Sequence, residues 1–129
     1  MRLYIADDNT DFSSFLAEVA TAGGWQVSLH ENGMDLLNSL KQGNGAALVI
    51  CDIQMPELDG MDVAYHMPTI ERYLRIRFIT GGPHADALAA RLIADANDLN
   101  VGRFLTKPIT LSAFKEVLAE EAKLLAAAV

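Results

Sequence analysis

Five short apolar runs punctuate the chain, and each is followed by a stretch with helical spacing. Arg2 to Ala6 is the first run, and Trp25 to His30, which alternates weakly, is the second. Leu48 to Cys51 is apolar without interruption, the pattern of a strand buried on both faces of a parallel sheet. Ile76 to Thr80 and Val101 to Thr106 complete the set. Between them, Phe12, Phe15, Leu16 and Val19 share one helical face that Gly23-Gly24 can stop. Asn32 is placed to cap a helix carrying Met34, Leu37 and Leu40, which ends near Gly43-Asn44-Gly45. Met61 to Tyr65 opens a helix that Pro68 kinks or shortens, leaving a polar connection through Arg75. His84 to Asn97 reads as an Ala-rich helix patterned by Leu88, Arg91, Leu92, Asp95 and Leu99. Leu111, Phe114, Val117, Leu118 and Leu125 mark a last amphipathic helix. Strand and helix alternate throughout, with neither a Gly-x-Gly-x-x-Gly turn nor a Walker loop. The prediction is a three-layer, doubly wound α/β domain with a five-stranded parallel sheet.

The polar residues of interest all come at the C-terminal ends of these runs: Asp7 and Asp8, Asp52, Thr80 and Lys107. In a parallel sheet those ends lie on one edge, so residues far apart in sequence converge there. Carboxylates ~4 Å apart repel by ~1 kcal/mol in water and ~4 kcal/mol at a protein-surface dielectric, so three together call for a cation or a raised pKa. Oxygen-only ligands select a hard ion, and Mg²⁺ is the natural occupant because it keeps waters and leaves positions for phosphoryl oxygens. A carboxylate, a divalent ion, a lysine and a hydroxyl make a phosphoryl-transfer site with Asp52 as nucleophile. The loop Thr80-Gly81-Gly82-Pro83 lets backbone amides approach an anion closely, which adds Gly81 to the candidate contacts, and Ile53, beside Asp52, is another.

Composition narrows the partners. At 129 residues with 51% hydrophobic content the chain is read as one domain with a full core. Its net charge of −7, with ten scattered Lys and Arg, argues against a nucleic-acid surface. No apolar run reaches the ~20 residues of a membrane span, and the N-terminal residues lack a signal peptide's apolar region, so a cytoplasmic location is expected. The lone Cys51 reads as a small core residue, and the methionines as packing. His30, His66 and His84 share no ligand spacing and are expected at the surface.

Asp7-Asp8 with Asn9, the run Asp52-x-x-x-Pro56-x-x-Asp59-Gly60, Thr80-Gly81 and Lys107-Pro108 stand together in one order and spacing. In these the chain resembles the receiver domains of bacterial two-component response regulators over essentially its whole length. The resemblance implies a flavodoxin-like strand order, 2-1-3-4-5, and residues 1–129 as one phosphoacceptor domain, whether alone or cut from a longer regulator. It implies that Asp52 accepts a phosphoryl group from a histidine kinase or histidine phosphotransfer protein. Asp8, Asp52 and the Gln54 carbonyl would hold Mg²⁺, with Asp7 assisting through water, and Lys107 would pair with a phosphoryl oxygen. Thr80 matches the family's switch hydroxyl, Phe104 stands at its switch aromatic, and Lys107-Pro108 would be cis. Output would pass to an effector domain or target protein at the face of His84 to Asn97, Val101 to Thr106 and Leu111 to Lys123, with self-association left open.

Departures from the family are also visible. Phe104 replaces the frequent tyrosine, so only rotation and packing remain to the switch ring. The last helix lacks an Arg-rich continuation, which weakens a transcription-factor reading. A second reading, a Mg²⁺-dependent phosphohydrolase of small phosphoesters with Asp52 as nucleophile, needs an acid two residues on. Gln54 stands there and cannot deliver a proton. A third, an unphosphorylated interaction module, fits poorly with the intact acids and Lys107.

Overall fold

The computed structural model describes residues 1–128. Strand β1 (Arg2–Ala6) leads to α1 (Thr10–Ala22), β2 (Gln26–His30) to α2 (Gly33–Gln42), and β3 (Ala47–Asp52) to α3 (Gly60–His66). A 3₁₀ turn, Met67–Thr69, precedes β4 (Leu74–Thr80) and α4 (His84–Ala96). Two short strands follow, β5 (Asn100–Val101) and β6 (Leu105–Thr106), and then α5 (Leu111–Ala127). All pairings are parallel, in the order β2-β1-β3-β4-β5, with β6 continuing on β4. This is the predicted 2-1-3-4-5 arrangement.

Strand alternation sends side chains to two cores. Tyr4, Ala6, Val49, Cys51, Ile76 and Phe78 pack under α2, α3 and α4, while Leu3, Ile5, Leu48, Ile50 and Ile79 meet α1 and α5. Side-chain caps start four of the α-helices, and α4 begins after Pro83 without one. Asn9 accepts from the Phe12 amide, Asn32 from Asp35, and Thr110 from Ala113. Asp59 and Asp62 form a reciprocal capping box that starts α3. Gly60 is required by contact: a Cβ there would lie 2.8 Å from the Ile53 Cα and 2.9 Å from the Asp52 carbonyl oxygen. The α3 start is thereby pressed against the end of β3.

Five expectations need correction. The fifth strand is not continuous from Val101 to Thr106; it breaks at Gly102–Phe104. On α4 the buried face is Ala87, Ala90 and Ala94, whereas Leu88 and Leu92 are 51% and 60% exposed. The close approach of α4 to α3 and the sheet favours the small residues, and the leucines look outward. Leu99 lies beyond the helix, after a turn at Asp98 with φ of 59°. His30 is buried, with Nδ1 2.6 Å from an Asp35 carboxylate oxygen, and is not a surface residue. Finally, Arg75 belongs to β4 and not to a polar connection, since that strand starts at Leu74.

Candidate functional site

The C-terminal ends of β1, β3, β4 and β6 form one pocket edge. Asp7, Asp8 and Asp52 each place a carboxylate oxygen within 4.8 Å of the others. Asp7 and Asp52 are buried, and Asp8 is exposed. Lys107 reaches in from the end of β6, with Nζ 2.7 Å from Asp7 Oδ2 and 3.2 Å from Asp52 Oδ2. The Asn9 amide donates to Asp7 Oδ1 at 2.8 Å and the Gln54 amide to Asp52 Oδ1 at 3.3 Å. Asp7 is therefore held from two sides, while Asp8 faces outward.

Burial raises the Asp52 pKa from the ordinary carboxylate range to about 6, and the neighbouring Asp7 charge adds to the effect. Lys107 and the Gln54 amide oppose that rise without cancelling it. For Lys107, burial disfavours the charge, but its hydrogen bond to Asp7 and the field of Asp52 outweigh this and raise its pKa. Its ammonium also sits 4.8 Å from the Phe12 ring centroid, a cation–π contact from α1. Three acids against one lysine leave the pocket two charges negative. A hard cation fits that imbalance and the all-oxygen donor set.

The other predicted residues line the same edge. Thr80 ends β4, is buried, and its Oγ1 accepts from the Gly82 amide at 3.0 Å. Its carbonyl accepts from the Lys107 amide at 2.8 Å, which ties the two loops together. Gly81 is exposed beside the Lys107 stem; a Cβ there would meet Lys107 Cδ at 3.4 Å. The Ile53 amide donates to the Ile79 carbonyl and its own carbonyl accepts from Gly60, so its backbone braces the loop. Gln54 is exposed, and Phe104 is half-buried with its ring edge-on to His84, centroids 5.3 Å apart. The Lys107–Pro108 bond is cis.

Sequence reading missed a second charged group. Arg75 and Arg77 project from β4 toward α5, where Glu121 is fully buried between them. Two signals were present. Leu74-Arg75-Ile76-Arg77-Phe78 alternates with period two, and Glu121 falls at i+7 from Phe114 on the apolar stripe of the last helix. Helical spacing places Phe12 on the apolar face of α1 but does not show that its ring lies under Lys107.

A sequence model described as the response regulator receiver domain matches residues 3–119. The response regulator receiver protein CpdR of Brucella abortus is 31% identical over 127 residues, 98% of each chain. Some relatives are longer: this chain spans 38% of a response regulator receiver protein from Anaeromyxobacter. Among solved structures, a CheY-like receiver domain protein of Methanospirillum hungatei superposes with a TM-score of 0.83 at 16% identity, covering 99% of this chain and 98% of its own. The response regulator TrrA of Thermotoga maritima, in complex with Mg²⁺-BeF, gives 0.73 at 26% identity, with 96% and 97% covered. Among the described residues no helix is long and apolar enough to cross a membrane. The match across most of the chain, on the strand order already described, makes this protein a member of the response regulator receiver domains of two-component signalling.

Proposed function

We propose that Asp52 is the phosphoacceptor of a signalling switch, taking its phosphoryl group from a histidine kinase or a histidine phosphotransfer protein. The carrying observation is Asp52 itself: buried at the end of the central strand, 3.2 Å from Lys107, and with a pKa of about 6. At neutral pH it is largely ionised yet more basic than an ordinary carboxylate, which suits a nucleophile. Its oxygen attacks phosphorus as the bond to the donor imidazole nitrogen breaks, and the imidazole leaves with the electron pair. Asp8, Asp52 and the Gln54 carbonyl would hold Mg²⁺, with Asp7 assisting through water; the ion neutralises the transferring oxygens when bound. Lys107 then exchanges its bond to Asp52 for one to a phosphoryl oxygen.

Output follows from the same edge. The Thr80 hydroxyl, now accepting from Gly82, turns to donate to the new dianion, and Phe104 rotates into the space released. Its ring leaves His84, so the altered surface is the one made by α4, β5, β6 and α5. An effector domain or target protein reads that face, in the cytoplasm where histidine phosphorylation is ATP-driven. One charge-assisted bond and one buried ring supply only part of the ~5.5 kcal/mol needed to move an equilibrium from 1:99 to 99:1, so the active state is partly populated at rest.

Incubation with acetyl phosphate and Mg²⁺ followed by intact-mass measurement tests the reading. One added phosphoryl group is expected in the wild type and none in Asp52→Asn. Equal labelling of both proteins would place the acceptor elsewhere.

A further inference from the structure

The break in the fifth strand has a cause in the buried ion group. Arg75 and Ile76 pair with Asn100 and Val101, and Ile79 and Thr80 with Leu105 and Thr106. Two residues of β4, Arg77 and Phe78, therefore face three, Gly102 to Phe104. The extra residue makes a bulge, and bulges re-aim side chains beside functional sites. The Arg103 carbonyl, left without a ladder partner, accepts from Arg77 Nε at 2.7 Å. The same guanidinium binds Glu121 through Nη1 at 3.0 Å, and Glu121 binds Arg75 through Oε2 at 2.5 Å. Gly102 is part of the arrangement: a Cβ there would lie 2.5 Å from Arg77 Cδ and 3.2 Å from Glu121 Oε1.

Arg77 is 4% exposed and Glu121 fully buried, so these charges are not a solvated surface pair. Replacing them with aliphatic residues would fill the space, but no aliphatic side chain can donate to the Arg103 carbonyl. What the charges add is a fixed backbone immediately before Phe104. We propose that Arg77, held by Glu121 and Arg75, is a positioning residue that sets the bulge and thereby the resting orientation of the Phe104 ring. This rests on the switch reading above.

Arg77→Lys is the selective test, because an ammonium can still reach Glu121 but cannot also serve the Arg103 carbonyl in a fork. Gly102→Ala strains the contact from the other side. The full chain is labelled with fluorophenylalanine, Phe104 is assigned through Phe104→Leu, and ¹⁹F spectra are taken before and after Mg²⁺ and beryllofluoride. In both variants the resting Phe104 signal should move or broaden and its response to beryllofluoride should fall at least twofold. The Mg²⁺ dissociation constant should stay within about twofold of the wild type. A wild-type Phe104 response in both, or a loss of Mg²⁺ affinity in step with the ring response, overturns the proposal, as does failure of both variants to fold. If beryllofluoride leaves the wild-type spectrum unchanged, the switch reading fails. The positioning role is then judged on the resting Phe104 signal alone, which an unchanged spectrum in both variants refutes.

Discussion

The acid pocket and the ion group beneath α5 both gather charges that a protein interior disfavours, and they resolve the conflict in opposite ways. In the pocket, Asp7, Asp8 and Asp52 face one Lys107, leaving two negative charges unmatched and Asp52 raised to about 6. Beneath α5, Arg75 and Arg77 both bind the fully buried Glu121, and Glu120, 57% exposed, lies 3.8 Å from Arg77 at the rim. The hydrogen bond to Glu121 holds the Arg75 pKa above its ordinary value despite burial. The pocket is open on the Asp8 side and carries excess negative charge; in the other group the buried Glu121 is hydrogen-bonded by both arginines. Unmatched charge at an open edge is chemistry in waiting, whereas charge enclosed by its hydrogen-bond partners is architecture.

The largest effect should come from breaking the closed group. Glu121→Ala strands two guanidinium groups, and removing one partner of a buried pair costs about 3–5 kcal/mol. Thermal unfolding should fall by roughly 9–25 °C, at roughly 3–5 °C per kcal/mol for a chain of this size. Replacing all three members together, Arg75→Met, Arg77→Met and Glu121→Leu, should cost far less than Glu121→Ala alone. A triple variant as unstable as the single one would show that the charges themselves, and not their mismatch, hold α5.

In the open pocket the expected losses are of binding. Asp8→Asn should weaken Mg²⁺ by roughly tenfold, about 1.4 kcal/mol, and Asp7→Asn by less, because Asp7 is already committed to Lys107 and the Asn9 amide. A metal titration that returns equal or reversed losses would mean the two acids have exchanged roles.

The two regions also differ in how far they could be read from sequence. The pocket was legible because each of its residues ends an apolar run, and parallel topology alone brings such ends together. The closed group was not: Arg75 reads as part of a polar connection, and Arg77, inside the predicted run Ile76 to Thr80, shows no partner in the local pattern. What lets both arginines point into the interior from β4 is Glu121, 46 and 44 residues away, which no local pattern shows. The bulge at Gly102–Phe104 has the same origin, since only the Arg77 contact explains the extra residue. On α4, helical spacing identified the helix but chose the wrong face: leucines outrank alanines in hydrophobicity, yet the close neighbour α3 leaves room only for Ala87, Ala90 and Ala94. His30 was misplaced for want of Asp35, five residues on and across a turn.

The smallest effect is a pH dependence that separates the regions by sign. Asp52 binds its proton more tightly in the folded chain than in the unfolded one, so protonation favours folding. That contribution is complete below the ordinary carboxylate pKa and is lost as pH rises through about 6. At pH 7.5 without metal, the native state thus carries an unfavourable charge that Asp52→Asn removes. The variant should melt roughly 3–5 °C higher than the wild type there, the shift that ~1 kcal/mol produces, and the gap should close as the pH falls toward 4. Mg²⁺ acts on the same charge, so saturating metal should raise the wild-type melting temperature and leave the variant nearly unmoved. Calorimetric scans from pH 4 to pH 8, with and without Mg²⁺, decide it. A variant less stable than the wild type at pH 7.5 would mean that the Lys107 contact outweighs burial and the Asp7 repulsion, and that the Asp52 charge, like that of Glu121, is already satisfied by its partners.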